Sequence, residues 1–311
     1  MVIKAKNFYA YELDFNRIKE VRGTDVYQQI IDYDAIKEIL MRCKTGSLAD
    51  IKQTFDTNWF LVLEDVVEIE AQDSNRKEKY LAGRFVTGEY GRIGDLRNVD
   101  TMQTRLNDKK KREGEDKFIY FALRKKDGLL LLQGDVKVNR NRIVDYFNFV
   151  GESVIKRKSY LEIGVSTLLK KDFLDEIASI NVTSLEIEIA AEKEAGYENE
   201  VITAARNSAK EFEANYVKLV WTAKYSRDKL TGLNSFVEKV VPRGSKKPIK
   251  GINNIKVRGK DGDEFKTIYI SKLSEKHEVS MEFDDNNNPV KDQAYVSLSN
   301  LILNRETLGR P

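Results

Sequence analysis

Apolar and polar positions in the first 138 residues alternate more often than they follow a helical period. The N-terminal string NFYAYELDF and residues 58–71 (NWFLVLEDVVEIEA) show the alternation typical of β-strands. Two apolar strings, FIYFALR and LLLLQGDVKV, flank the dipeptide Asp127-Gly128, which favours a tight turn, and together they predict a β-hairpin. A stripe with spacings of three and four over residues 26–43 predicts one amphipathic helix in this part of the chain.

From residue 139 the apolar period becomes mostly helical. The spacing of apolar residues from Ile143 to Val154 predicts a helix, with Asn139 or Asn141 as its N-cap. Strands at 159–165 and 182–190 around a helix at 168–180 are expected to form one β-α-β unit. The remaining pattern predicts helices at 199–223 and 226–240, strands at 252–258, 265–271 and 277–283, and a closing helix near 291–304.

Strands and helices are mixed without a strict alternation, which predicts an α+β fold with mixed or antiparallel sheets and packed helices. At roughly 150 residues per domain, the 311 residues predict two domains. We expect a β-rich domain formed by residues 1–138 together with 241–311, and a helix-rich middle domain at 139–240.

The rarest residue types exclude several kinds of chemistry. Cys43 is the single cysteine, so the chain can form neither an intrachain disulfide nor a cysteine-based zinc site, which fits a reducing compartment. The single histidine, His277, excludes paired-histidine metal sites, and no cofactor is expected. The N-terminus lacks the features of a signal peptide, and no apolar run approaches the roughly 20 residues that a membrane span needs. These features predict a cytoplasmic protein.

Charge is more informative by position than in total. The 53 Lys and Arg residues nearly cancel 50 Asp and Glu, leaving a net charge of +3. Residues 239–260, however, contain eight Lys or Arg and no acid, whereas residues 186–200 contain six Glu and one Lys. Such segregation is typical of a protein that binds a polyanion. The residues predicted to bind this polyanion are Arg243, Lys246, Lys247, Lys250, Lys256 and Arg258, with two shorter clusters, Lys109, Lys110, Lys111 and Arg112, and Lys156, Arg157 and Lys158.

One string favours a competing, catalytic interpretation. A carboxylate followed by D-x-K on the next strand is the arrangement that metal-dependent nucleases use, because carboxylates hold Mg²⁺ and the lysine helps to activate water. Asp127, Asp135 and Lys137 follow this order, although the two carboxylates are closer in sequence than is usual. The structural interpretation places Asp127 in a turn and Lys137 on a solvent-exposed face.

Several stretches, taken together, resemble RexA, the DNA-binding component of the superinfection-exclusion system of lambdoid prophages. The resemblance includes the aromatic strand that begins at Asn7, the GDVKVNRNRIVDYFNFVG stretch at 134–151 and the LEIEI strand at 185–189. It continues through 254–276 and 294–303. The loop that carries Lys109 to Arg112 has no clear counterpart, so its assignment rests on charge alone.

The resemblance implies a homodimer that binds double-stranded DNA with little sequence preference. It further implies the sensor role of an abortive-infection response that signals to a membrane ion-channel partner. The family has no known enzymatic site, and its equivalent strand does not preserve Asp135, which argues against the nuclease interpretation. A third hypothesis is a protein–protein adaptor without a nucleic-acid role.

Overall fold

The computed structural model describes residues 2–21, 24–168, 177, 179–190, 200–214, 216–225, 229–230, 252–262, 264–269, 274–305 and 308. The strands are β1 (Val2–Val21), β2 (Thr24–Ile30), β3 (Gln53–Phe55), β4 (Trp59–Gln72), β5 (Lys77–Glu89), β6 (Leu96–Arg97), β7 (Thr104–Arg105), β8 (Lys117–Arg124), β9 (Leu129–Gln133), β10 (Glu162–Thr167), β11 (Asn181–Ala190), β12 (Tyr216–Thr222), β13 (Ile252–Asp261), β14 (Glu264–Tyr269) and β15 (Lys276–Phe283). The helices are α1 (Tyr33–Cys43), α2 (Leu48–Ile51), α3 (Arg140–Arg157), α4 (Glu200–Glu211) and α5 (Lys291–Asn304). This combination of helices and antiparallel sheets confirms the predicted α+β class.

The larger sheet is organised around β1. Its strand order is β10-β1-β9-β8-β5-β4-β3, and β15 and β2 also pair with β1. With 20 residues, β1 is long enough to pair with β15 and β9 along its first part and with β10 and β2 along its second. All these pairings are antiparallel, so the sheet needs no crossover helices between neighbouring strands.

Helices cover both faces of this sheet. The helices α1 and α3 pack with one core cluster, and α5 packs with a second cluster that lies on the other face. Successive residues of β8 show the division, because Ile119 and Phe121 belong to the first cluster and Tyr120 and Ala122 to the second. A strand buried on both faces has a continuous apolar sequence, which explains FIYFALR. Cys43, the last residue of the apolar stripe over 26–43, is buried in the first cluster.

The smaller sheet has the order β12-β11-β13-β14. Its inner face forms a third core cluster that includes Leu185, Ile187 and Val257, together with Ala205 of α4. The alternate residues point to the opposite face, which is called here the outer face of the smaller sheet. The predicted strand at 182–190 is confirmed as β11.

Several predicted elements are wrong in type or partner. The helix expected at 199–223 ends at Glu211, and residues 216–222 form β12, whose sequence YVKLVWT alternates and is rich in β-branched and aromatic residues. The stripe over 26–43 divides between β2 and α1, because Asp32 caps the helix by accepting a hydrogen bond from the N–H of Ala35. The expected β-α-β unit does not form, since β10 and β11 belong to different sheets.

Sheet membership does not follow the predicted domain boundaries at 139 and 240. The helix α3 packs in the first core cluster and β10 pairs with β1, so both belong with the larger sheet. The strands β13 and β14 belong with the smaller sheet through the pairing of β11 and β13. In the described part of the chain, no helix is long and apolar enough to cross a membrane.

Candidate nucleic-acid interface

The predicted DNA-binding residues that the structure describes lie in three places. Arg243, Lys246, Lys247 and Lys250 lie outside the described residues. The other predicted residues lie at the end of α3, on β13, and in a segment between β5 and β8. The structure shows that these groups differ in whether their cations form ion pairs with carboxylates. The sequence alone cannot show this difference.

The cluster at the end of α3 is neutralised by nearby carboxylates. Lys156 pairs with Glu152, Arg157 pairs with Glu38, and the ammonium of Lys158 lies 2.8 Å from Asp32. Cations in the last turn of a helix also stabilise its dipole. These three cations are therefore already paired, and a phosphate would have to compete with their carboxylate partners for them.

The strand β13 places Lys256, Arg258 and Lys260 on the outer face of the smaller sheet, because alternate residues share a face. Lys256 lies 3.9 Å from Glu186 and above the ring of Tyr269. Arg258 is exposed and forms no ion pair with the described residues, but its charge interacts with Glu186 and helps to lower the pKa of that carboxyl. Aromatic rings beside cations on an open sheet face are suited to nucleic acid, although Glu186 weakens the positive potential.

The segment between β5 and β8, residues 90–116, is called here the arm. Its root is closed by a hydrogen bond from the N–H of Gly91 to the carbonyl of Lys111, at 2.8 Å. The strands β6 and β7 pair within it. Beyond them the chain turns between Asn98 and Gln103, whose backbone groups are joined by a 2.9 Å hydrogen bond. The arm therefore contains a short two-stranded ribbon.

The distal part of the arm, residues 92–112, is basic and exposed. It carries seven Lys or Arg against three Asp, a balance of +4, and three further acids follow at 113–116. None of the seven cations makes an ion pair with any described residue. They are Arg92, Arg97, Arg105, Lys109, Lys110, Lys111 and Arg112. The sequence predicted the last four from their density but missed the three arginines, because acids lie between them.

The nuclease candidates do not come together. Both oxygens of Asp127 bind the guanidinium of Arg124, at 2.9 and 2.6 Å, and both side chains are buried. Asp135 lies beyond the other end of β9, a five-residue strand that spans roughly 14 Å. Two ligands of one Mg²⁺ must each lie about 2 Å from it. Among the described residues, no three His, Cys, Asp or Glu side chains form a group that could hold a metal ion.

Asp135 instead holds the turn before α3. Its Oδ1 accepts hydrogen bonds from the N–H groups of Lys137 and Val138, both at 2.8 Å, and Oδ2 pairs with Lys117. Lys137 in turn lies 3.1 Å from Asp56. These residues lie after the end of β9, so the expected position of D-x-K on the strand is wrong. Burial raises the pKa of Asp135. Its hydrogen bonds and the charge of Lys117 lower the pKa by more than burial raises it, so the net pKa lies below its usual value.

We expect Asp135→Ala to lower the free energy of unfolding by about 1–2 kcal/mol at neutral pH, as the loss of a helix cap does. A carboxyl whose folded-state pKa is lowered contributes stability above its unfolded-state pKa of about 4, and this contribution is lost as the pH falls further. Urea titrations should therefore show a difference between wild type and variant that shrinks below pH 4. Asp135→Asn, which keeps an acceptor, should cost less. A constant difference across pH would contradict the ionic role.

No protein-family model matches the chain, and a search of curated proteins finds no match. The fold and site define the class of an α+β protein with a basic, two-stranded arm.

Proposed function

We propose that this protein binds double-stranded DNA with little sequence preference and without catalysing a reaction on it. The observation that carries the proposal is the exposed arm, whose seven cations have no carboxylate partner among the described residues. Unpaired cations can each release a counterion from DNA at no cost in broken ion pairs. Lys156, Arg157 and Lys158, by contrast, would first have to give up their partners.

Weak selectivity follows from the kind of contact that the arm can make. Lysine and arginine on an exposed ribbon reach phosphates first, and phosphate contacts carry no sequence information directly. On the outer face of the smaller sheet, Arg258 and Lys260 form a second surface that we expect to contact the phosphate backbone of DNA. This surface continues the basic sequence that begins at residue 239.

The resemblance to the RexA family supports the cellular role that we propose. In this role the protein acts as the DNA-binding sensor of a prophage-encoded exclusion system, as a cytoplasmic homodimer with a membrane ion-channel protein as its partner. The resemblance to the family at 134–151 coincides with the Asp135 turn and the start of α3.

A duplex titration tests DNA binding directly. The full chain is titrated with two duplexes of equal length and unrelated sequence, over a series of salt concentrations, and anisotropy reports the bound fraction. We expect similar affinities for both, and a slope of log affinity against log salt of up to about −6 for seven phosphate contacts. Absence of binding at low salt, or strong preference for one duplex, would contradict the proposal.

A further inference from the structure

The tip of the arm exposes apolar side chains that no fold requirement explains. Val99 is 84% exposed and Met102 is 62% exposed, and both lie in the turn between β6 and β7. Burying such side chains would be favourable, because it removes apolar surface from water. The tip therefore presents an apolar pair at the far end of a basic ribbon.

The backbone conformation at residue 102 of the tip is one that methionine rarely adopts. Met102 has a φ of +57°, in the left-handed region that glycine and asparagine occupy most readily. The turn is held by Asn98, whose side chain accepts hydrogen bonds from the N–H groups of Asp100 and Thr101. A glycine at 102 would adopt this conformation without the steric cost that a Cβ atom imposes. Because the methionine side chain is exposed, packing within the chain does not repay that cost.

We infer that Val99 and Met102 form a wedge that enters a base-pair step of duplex DNA and kinks the duplex, an inference that rests on the proposed function. Arg97 and Arg105 lie immediately behind the turn, on β6 and β7, and both are exposed. Cations on both strands behind an apolar tip complement DNA, where phosphates flank an apolar stack of bases. Proteins that insert apolar side chains from the minor groove kink DNA by about 20–90°.

Charge complementarity favours DNA over a second copy of the chain as the occupant. The distal arm has a balance of +4, so two tips packed against each other would place like charges together. Asp100 is the one acid in the tip between β6 and β7, and it would lie close to the phosphates. Asp100→Asn should consequently raise the affinity for DNA, whereas replacing Val99 and Met102 should lower it.

The inference is tested by measuring the bend separately from affinity. A duplex labelled at its two ends with a donor and an acceptor reports the end-to-end distance by energy transfer, at protein concentrations that saturate binding. We expect wild type to raise the transfer efficiency, and the double variant Val99→Ser/Met102→Gly to bind with at most about tenfold lower affinity while leaving the transfer at the value of free DNA. Met102→Gly alone should not lower the melting temperature.

Val136→Ser is the matched control, because Val136 is 90% exposed and lies outside the arm. It should retain the full bend. Binding by wild type without a change in transfer would overturn the wedge and leave the proposed function standing, as would a full bend with the double variant. A double variant that loses self-association in sedimentation would show that the tip contacts a second copy, and would also overturn the wedge. Absence of binding by wild type at low salt would overturn the proposed function itself.

Discussion

Replacing Arg124 with leucine is expected to lower the free energy of unfolding by about 3–5 kcal/mol, because the change leaves the Asp127 carboxylate buried without its partner. Arg124 is 0% exposed and Asp127 is 2% exposed, so water cannot replace the lost contacts. The guanidinium also donates hydrogen bonds to the carbonyls of Ile302, at 3.1 Å, and Arg305, at 2.6 Å. Urea unfolding followed by circular dichroism measures the loss.

The control for this variant is an exposed ion pair of the same chain. Lys156 pairs with Glu152, and their side chains are 74% and 67% exposed. Exposed pairs contribute about 0–1 kcal/mol, so Lys156→Leu should change the unfolding free energy little. Equal losses in Arg124→Leu and Lys156→Leu would show that the buried pair does not have the stabilising role assigned to it.

The buried pair also explains how the C-terminal helix is attached. The carbonyls that Arg124 binds lie in the last turn of α5 and just beyond it, where a helix leaves carbonyls without internal partners. Asp127 accepts a further hydrogen bond from the N–H of Leu308, at 2.8 Å. The β8–β9 turn thus fixes the end of α5. Arg124→Leu should therefore increase amide exchange in α5 more than in α1.

The sequence predicts local structure well where one period dominates and a turn residue marks the end. The β8–β9 hairpin is confirmed, with Gly128 at a φ of +71°, and so is the Asn139 cap of α3. The helix predicted over 199–223 fails because apolar residues there satisfy helical spacing and alternation at once. In β12 the pairing with β11 decides between the two, and that partner is distant in sequence.

The site is less predictable than the fold because ion pairing depends on tertiary contacts. The clusters at 109–112 and 156–158 look alike in sequence, as short runs of lysine and arginine. Only the fold brings Glu38 and Asp32 to the second cluster, across more than 100 residues of chain. Arg97 and Arg105 do not form a run in the sequence, so charge density does not identify them. Only the β6–β7 pairing brings them close together. Charge density in sequence therefore identifies candidates, and the absence of partners selects among them.

The removal of four arm charges is expected to have the largest effect on DNA binding. In the variant Arg97→Gln/Arg105→Gln/Lys110→Gln/Lys111→Gln, we expect the slope of log affinity against log salt to become less negative by about 3.6, at roughly 0.9 for each lost phosphate contact. Affinity should fall to the same extent for unrelated duplexes, because phosphate contacts do not distinguish sequences. Glutamine keeps the length and polarity of the side chains, and the exposed arm contributes nothing to the described core clusters, so the melting temperature should be unchanged.

The matched control removes three charges that already have carboxylate partners, in Lys156→Gln/Arg157→Gln/Lys158→Gln. If unpaired cations carry the affinity, this control should change the salt slope by less than about 1, although it changes the net charge almost as much as the arm variant does. A net-charge effect alone would make the two variants nearly equal, and a site elsewhere would leave the arm variant at the wild-type slope. Either result would show that the arm does not carry DNA binding. The proposal depends on which cations lack carboxylate partners and not on how many cations there are.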